Sequence, residues 1–310
     1  MMKDATVVYS ETMIRLADRN DDIVLVEADL MRASGSEPFF MKYPDRLYNV
    51  GIAEQNLLGF ASGLAAVGRI PFASAIASFL SQRACDQAVI SVAYNKFNVK
   101  MIGLMPGITS EKNGGTHISI LDLAVMRGIP NLMVVDPGDS IEYEKVLEYA
   151  AENEGPMYIR ANRGQIKSFH GENYIFEPGK GLFLGNGRDV GLITTGLATE
   201  QGIIASEAAA KSNIGVCHLH LPCLKPLDTA AIAKCMENTV VVITAENHSV
   251  IGGLGSAVAE TASDLCPGKV IRLGFQDHFG ETATRDYMMR KYGFDAEGIL
   301  SQIIKCASGK

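Results

Sequence analysis

Short β-branched runs alternate with helix-length amphipathic stretches along nearly all of this 310-residue chain. Strand, crossover helix, strand is the pattern of parallel sheets covered by helices on both faces, so the chain is read as α/β. The spacing predicts strands at 23–27, 70–74, 99–104, 132–135 and 157–160, with helices over 6–19, 52–67, 79–94, 119–127 and 140–153. Together they predict one doubly wound domain over residues 1–165. Residues 166–188 mix glycine, proline, charged and aromatic residues without a period and read as a linker with a short edge strand. A second α/β domain is expected over 189–310, with strands near 190–194, 215–219, 240–244 and 270–273 and helices near 199–211, 228–236, 254–264 and 284–291.

Composition narrows what such a chain does. The formal net charge is −7 and no run of Lys and Arg occurs, which argues against a nucleic-acid or anionic-membrane surface. No uncharged apolar stretch reaches the length of a membrane span. Glu11, Arg15 and Asp18 interrupt the first helix pattern, so no signal-peptide core is read and a cytoplasmic protein is expected. Six cysteines without a CxxC pair read as reduced thiols, mostly buried.

Chemistry-bearing residues gather at the ends of the first domain's strands, where open α/β sheets bind ligands. Asp29 follows the strand at 23–27, Phe79 and Arg83 follow that at 70–74, and a loop from Met105 to His117 follows that at 99–104. Glu54 stands in the first turn of a helix whose faces look largely apolar, with Ile52, Leu57 and Leu58 nearby. A carboxylate there is either an ordinary partner of the helix N-terminus or a desolvated functional acid. Gly252-Gly253-Leu254-Gly255 misses the dinucleotide spacing and reads as a tight strand-to-helix turn, and Gly185-Asn186-Gly187 reads as a hairpin turn. Glu246, Asn247 and His248 beside the glycine turn are open to two readings, contact with a symmetry mate or local hydrogen bonding.

The segments NVGIAEQN, QRACDQ, GGTH, IPNLMVVDPGD and GPMYIRANRG, in this order, resemble the thiamine-diphosphate enzymes of the transketolase and 1-deoxyxylulose phosphate synthase type. The resemblance runs over essentially the whole chain and implies a pyrimidine-binding domain followed by a transketolase C-terminal domain. It implies that Glu54 hydrogen-bonds the cofactor's pyrimidine nitrogen, as a neutral carboxyl kept so by desolvation. Phe79 is implied to stack on the pyrimidine, with Ile76 packing where relatives often carry a second aromatic. His117 is implied to meet the donor substrate, and Asp29 to reach toward cofactor across a subunit interface.

Some positions depart from that pattern. Lys112-Asn113-Gly114 stands where transketolases usually carry Glu-Asp-Gly, so Asn113 offers an amide to a sugar hydroxyl. Met105 stands where many have a phosphate-binding histidine, which leaves Arg83, Arg163 and Lys112 as candidate cations for a substrate anion, Arg83 being a candidate cofactor contact as well, and Arg160 as either such a cation or a structural ion pair. The Gly-Asp-Gly that holds the diphosphate's divalent metal is absent, so no metal ligand is expected in this chain. The reading is therefore the C-terminal subunit of a split transketolase. Its separate N-terminal subunit would hold the diphosphate and Mg2+ or Ca2+, two of each chain would assemble as a heterotetramer, and small sugars, sulfosugars or branched sugars included, would be substrates. A 2-oxo-acid dehydrogenase beta subunit and a non-catalytic assembly module are the alternatives.

Overall fold

The structure, a computed structural model, describes residues 2–309, with the backbone alone for residues 2, 3 and 166. Its strands are β1 (Met2–Asp4), β2 (Ile23–Glu27), β3 (Leu47–Asn49), β4 (Ile70–Ile76), β5 (Lys100–Leu104), β6 (Met133–Val135), β7 (Met157–Ala161), β8 (Gln165–Lys167), β9 (Leu182–Phe183), β10 (Val190–Thr194), β11 (Val216–His220), β12 (Cys223–Lys225), β13 (Val241–Ser249) and β14 (Lys269–Phe275). The first sheet runs β12-β6-β7-β5-β4-β2-β3 and the second β14-β13-β10-β11-β9. Residues of β2, β5 and β7 are buried throughout, because helices cover both faces of the parallel core. No helix among the described residues is long and apolar enough to cross a membrane.

The two sheets are tied together more closely than a linker would suggest. After β11 the chain crosses back and adds β12 antiparallel to β6, so residues 223–225 complete the edge of the first sheet. One core cluster is continuous from Leu57, Leu58 and Val134 of the first sheet's layer to Ile193, Leu219, Val242 and Leu254 of the second. The segment at 165–183 contributes two short strands, β8 beside β1 and β9 beside β11.

Several predicted elements change form. The helix expected over 79–94 is a π-helical turn at Phe79–Arg83, one α-turn at Cys85–Gln87 and a second π-helical stretch at Ala88–Ala93. Such insertions re-aim side chains and collect at functional sites. The helix expected from residue 119 starts at Asp122, because the Ser119 carbonyl accepts from Gly107 N–H and the Ile120 carbonyl from Ser249 N–H. Gly185-Asn186-Gly187 is not a hairpin turn: Gly185 and Gly187 donate to the His218 and Val216 carbonyls, so the segment runs extended beside β11. A last helix, Ala296–Ala307, capped by Asp295 and burying Ile299 and Ile303, was not anticipated. All six cysteines are free, and Cys217, Cys223 and Cys235 are buried.

Glu27, at the end of β2, is fully buried and accepts from Ser34 Oγ at 2.8 Å. Burial pushes its carboxyl from 4.5 up to about 7, against lowering contacts from Ser34, Ser36 and Ser74. A carboxyl whose folded value lies above its unfolded value destabilises the fold as pH rises through that window, and the cost is complete above it. Glu27→Gln keeps the acceptor and removes the charge, so it is expected to stabilise the chain by about 3 kcal/mol at pH 8 and by almost nothing at pH 4. Thermal melts at the two pH values check this; equal shifts at both would contradict it.

Candidate active site

The chain reverses its winding at β2, placing β3 on one side and β4 on the other, and the ends of β2, β4 and β5 open onto one rim. Ligands bind at such reversals because the loops on either side diverge and leave a crevice. Here the crevice is a cleft of about 670 Å³, lined among others by Asp29, Ile76, Met105, Asn113, His117 and Arg163. The structure thus brings together six residues singled out from the sequence. Asp4, Thr6, Arg32 and Ala33 also line it and were missed. Arg32 lies three residues beyond Asp29, and that adjacency was the available signal.

Glu54 opens the helix Glu54–Ala66 and is 1% exposed. Leu57 and Leu58 pack in the core as expected, whereas Ile52 is 74% exposed and shields nothing. The surround is not wholly apolar: Arg83 donates to Glu54 Oε2 at 2.7 Å, making a half-exposed guanidinium the acid's partner. The same guanidinium lies 4.2 Å over the Phe79 ring, and the His117 imidazole meets that ring edge-on at 5.1 Å. Acid, aromatic face and imidazole are therefore contiguous, with a flat, N–H-rich group between acid and ring. Ile76, nearly buried, closes the cleft wall nearby.

The loop after β5 supplies the rest. Met105 has φ +51° and its sulfur lies 3.7 Å from an Arg163 guanidinium nitrogen. Arg163 is otherwise exposed to the cleft, without a carboxylate partner among the described residues. Asn113 donates to Ser110 Oγ at 3.4 Å, and Lys112 points outward, off the cleft lining. Asp29, at φ +60°, accepts from the Asn49 amide, while its own N–H donates to Asn49 Oδ1 at 3.0 Å. His117 Nδ1 shares a hydrogen bond with Thr116 Oγ1 at 2.9 Å, which leaves its other ring nitrogen for a ligand.

Two readings left open by the sequence resolve. Arg160 is not a substrate cation: it is fully buried, with Nε and one terminal nitrogen donating to Asp122 at 2.7 Å and the other to Asp136 at 3.1 Å. Burial alone would raise both acids; the forked contact overcomes it at Asp122, which is lowered, but not at Asp136, which stays raised. Glu246, Asn247 and His248 face no symmetry mate, being fully buried and bonded within the chain. Glu246 accepts from the N–H groups of Leu254 and Gly255 at the start of the helix Leu254–Leu265, as the tight glycine turn requires.

A two-domain α/β subunit with a buried acid beside an aromatic face, and with imidazole, amide and guanidinium on one cleft, is built to bind a flat nitrogen heterocycle next to a small polar anion. Residues 2–168 match the family "Transketolase, pyrimidine binding domain" and residues 179–299 match "Transketolase, C-terminal domain". The chain belongs to the transketolase family. It is 42% identical to the 6-deoxy-6-sulfo-D-fructose transketolase subunit SqwH of Clostridium sp. (strain MSTE9), over 94% of this chain and 91% of that one. It is 37% identical to a putative transketolase C-terminal section of Methanocaldococcus jannaschii, over 96% and 94% of the two chains. A solved split gene transketolase, described as an inactive beta4 tetramer, superposes with a TM-score of 0.90 at 37% identity, covering 98% of both chains. Like these relatives, the chain is a split transketolase subunit.

Proposed function

We propose that this chain is the C-terminal subunit of a two-chain transketolase, moving a two-carbon ketol unit from an anionic ketose to an aldose. The observation that carries the reading is the contact chain from Glu54 through Arg83 and Phe79 to His117, which lines the cleft. The site fits thiamine diphosphate at its ring end. The Arg83 guanidinium, flat and N–H-bearing, already lies against the Phe79 face and bonds Glu54, the two contacts an aminopyrimidine also makes. Among the described residues no group of His, Cys, Asp or Glu is arranged to hold a metal ion. The diphosphate, with Mg2+ or Ca2+, is assigned to a separate N-terminal subunit, in a heterotetramer of two plus two chains in the reducing cytoplasm, where six free cysteines persist.

When bound, thiamine diphosphate would supply the nucleophilic carbon that ketol transfer needs. Glu54, now paired with Arg83, would hold the cofactor's ring nitrogen and the proton there. Phe79 and Ile76 hold the ring's plane, and Asp29 closes the lip of the cleft. His117 gives and takes protons at the substrate oxygens, a task suited to an imidazole near neutral pH. Asn113 hydrogen-bonds a sugar hydroxyl.

Arg163, with Met105 against it, receives the terminal anion. The Arg163 guanidinium lies beside a thioether, with Arg32 on the same cleft, and three sulfonate oxygens all accept N–H bonds without carrying a proton. This favours a sulfonated ketose, in keeping with the substrate named for the Clostridium relative. Reconstitution with the partner chain, cofactor and magnesium tests it against 6-deoxy-6-sulfo-fructose and fructose 6-phosphate. The sulfonate should be the better donor, and Arg163→Ala should lower its kcat/KM by about 10- to 100-fold, the worth of a charge-assisted bond. Equal use of both donors, unaffected by Arg163→Ala, would reject the anion assignment.

A further inference from the structure

The cleft loop is held from behind by the second domain. Gly107 N–H donates to the Ser119 carbonyl, which pinches the loop into a closed turn carrying Asn113 and His117. Inside the pinch, Asn247 of β13 is fully buried and uses both ends of its amide: Ile108 N–H donates to its Oδ1 at 2.9 Å, and its Nδ2 donates to the Pro106 carbonyl at 3.2 Å. Gly107 sits between these two contacts at φ +51°, and a Cβ there would fall 2.1 Å from Asn247 Oδ1. The far end of the loop is held by the same strand, Ser249 N–H donating to the Ile120 carbonyl and Ala124 N–H to His248 Nε2 at 3.4 Å.

The loop needs this support, because its backbone is not one it would adopt alone. Met105 and Glu111 hold positive φ of +51° and +47°, and such conformations in residues with a Cβ persist only where the surroundings over-determine them. Further out, the second domain also covers the loop's tip: a Cβ on Gly115 would fall 2.5 Å from the Gly280 carbonyl oxygen. The loop is thus clamped at its root by β13 and covered at its tip by the segment after β14.

We propose that Asn247 is a positioning residue for the substrate loop, fixing Met105, Asn113 and His117 against the cleft so that the second domain sets donor-substrate affinity without touching substrate. The assignment rests on the function proposed above for the loop, although the clamp itself can be read independently of it. Removing both amide contacts frees the loop root while leaving Glu54, Phe79 and Arg83 untouched, so substrate binding should suffer and cofactor binding should not.

Hydrogen exchange on the full chain tests the clamp. In Asn247→Ala, amides of residues 107–117 should exchange about tenfold faster, with β10 and β11 unchanged. In the reconstituted complex the same variant should raise the donor KM about tenfold and leave thiamine diphosphate affinity within about twofold. Should Asn247→Ala not fold, Gly107→Ala presses on the same contact from the loop side and should give the same pattern. Unchanged exchange over 107–117 in a folded variant overturns the proposal, and so does faster exchange with an unaltered donor KM. A wild-type complex inactive with every ketose would instead refute the proposed function, and exchange alone would then decide whether Asn247 clamps the loop.

Discussion

Glu54→Gln is expected to lower ketol transfer in the reconstituted complex by about 10²- to 10⁴-fold, the range of a positioned proton-transferring group, while the chain folds and pairs as before. The substitution suits the question because Glu54 is 1% exposed and an isosteric amide fills the same space. The glutamine carbonyl still accepts from Arg83, so the packing at the start of the helix survives. What disappears is the acid's ability to carry a proton to or from a ring nitrogen. If Glu54 were only a favourable charge at a helix N-terminus, the loss would be about 0.3–1 kcal/mol of stability with no change in turnover. Steady-state kinetics and a melting curve on one preparation separate the two, and full turnover by Glu54→Gln would reject the catalytic role.

Arg160→Met is expected to be among the most destabilising single changes in the chain, costing about 3–5 kcal/mol, because two buried carboxylates lose their common counter-charge. Asp122 receives two bonds from that guanidinium and Asp136 one, and all three side chains are fully buried. The guanidinium also donates to the Asn247 carbonyl at 3.2 Å, so the triad braces the strand that holds the cleft loop. Methionine matches the length of the side chain and offers neither charge nor donors. Replacing Asp122 and Asp136 by Asn in the same background should recover part of the loss, since the unpaired charges are then gone. Denaturant unfolding of the single and triple variants checks both statements. A normally stable Arg160→Met with a raised donor KM would restore the substrate-binding role that burial argues against.

Much of this site was legible in the sequence, and the failures have physical causes. The β-branched runs placed β2, β4, β5 and β7 to within a residue or two, because strands buried on both faces are largely apolar. The rim residues followed, since a side chain just past the end of a parallel strand can point only toward the crevice. Arg160 stayed open because an arginine in a strand looks the same in sequence whether it faces a ligand or two acids 24 and 38 residues away. Arg83 was read as a substrate or cofactor cation, yet its bond to Glu54 depended on a π-helical turn that no periodicity announces. The return of β12 to the first sheet was equally hidden, for three residues carry too little pattern to declare a strand's partner. Asn247 belongs to the same class: its work lies in pairing with Pro106 and Ile108, some 140 positions earlier.

In the proposed function, Glu54 and Phe79 grip the aminopyrimidine of thiamine diphosphate in a cleft that a second chain completes. A crystal structure of the reconstituted complex with thiamine diphosphate and magnesium tests it most directly. It should show the pyrimidine ring on the Phe79 face, a ring nitrogen within hydrogen-bond distance of Glu54, and the diphosphate and metal on the partner subunit. A cofactor bound elsewhere, with Glu54 still held by Arg83 alone, would contradict it.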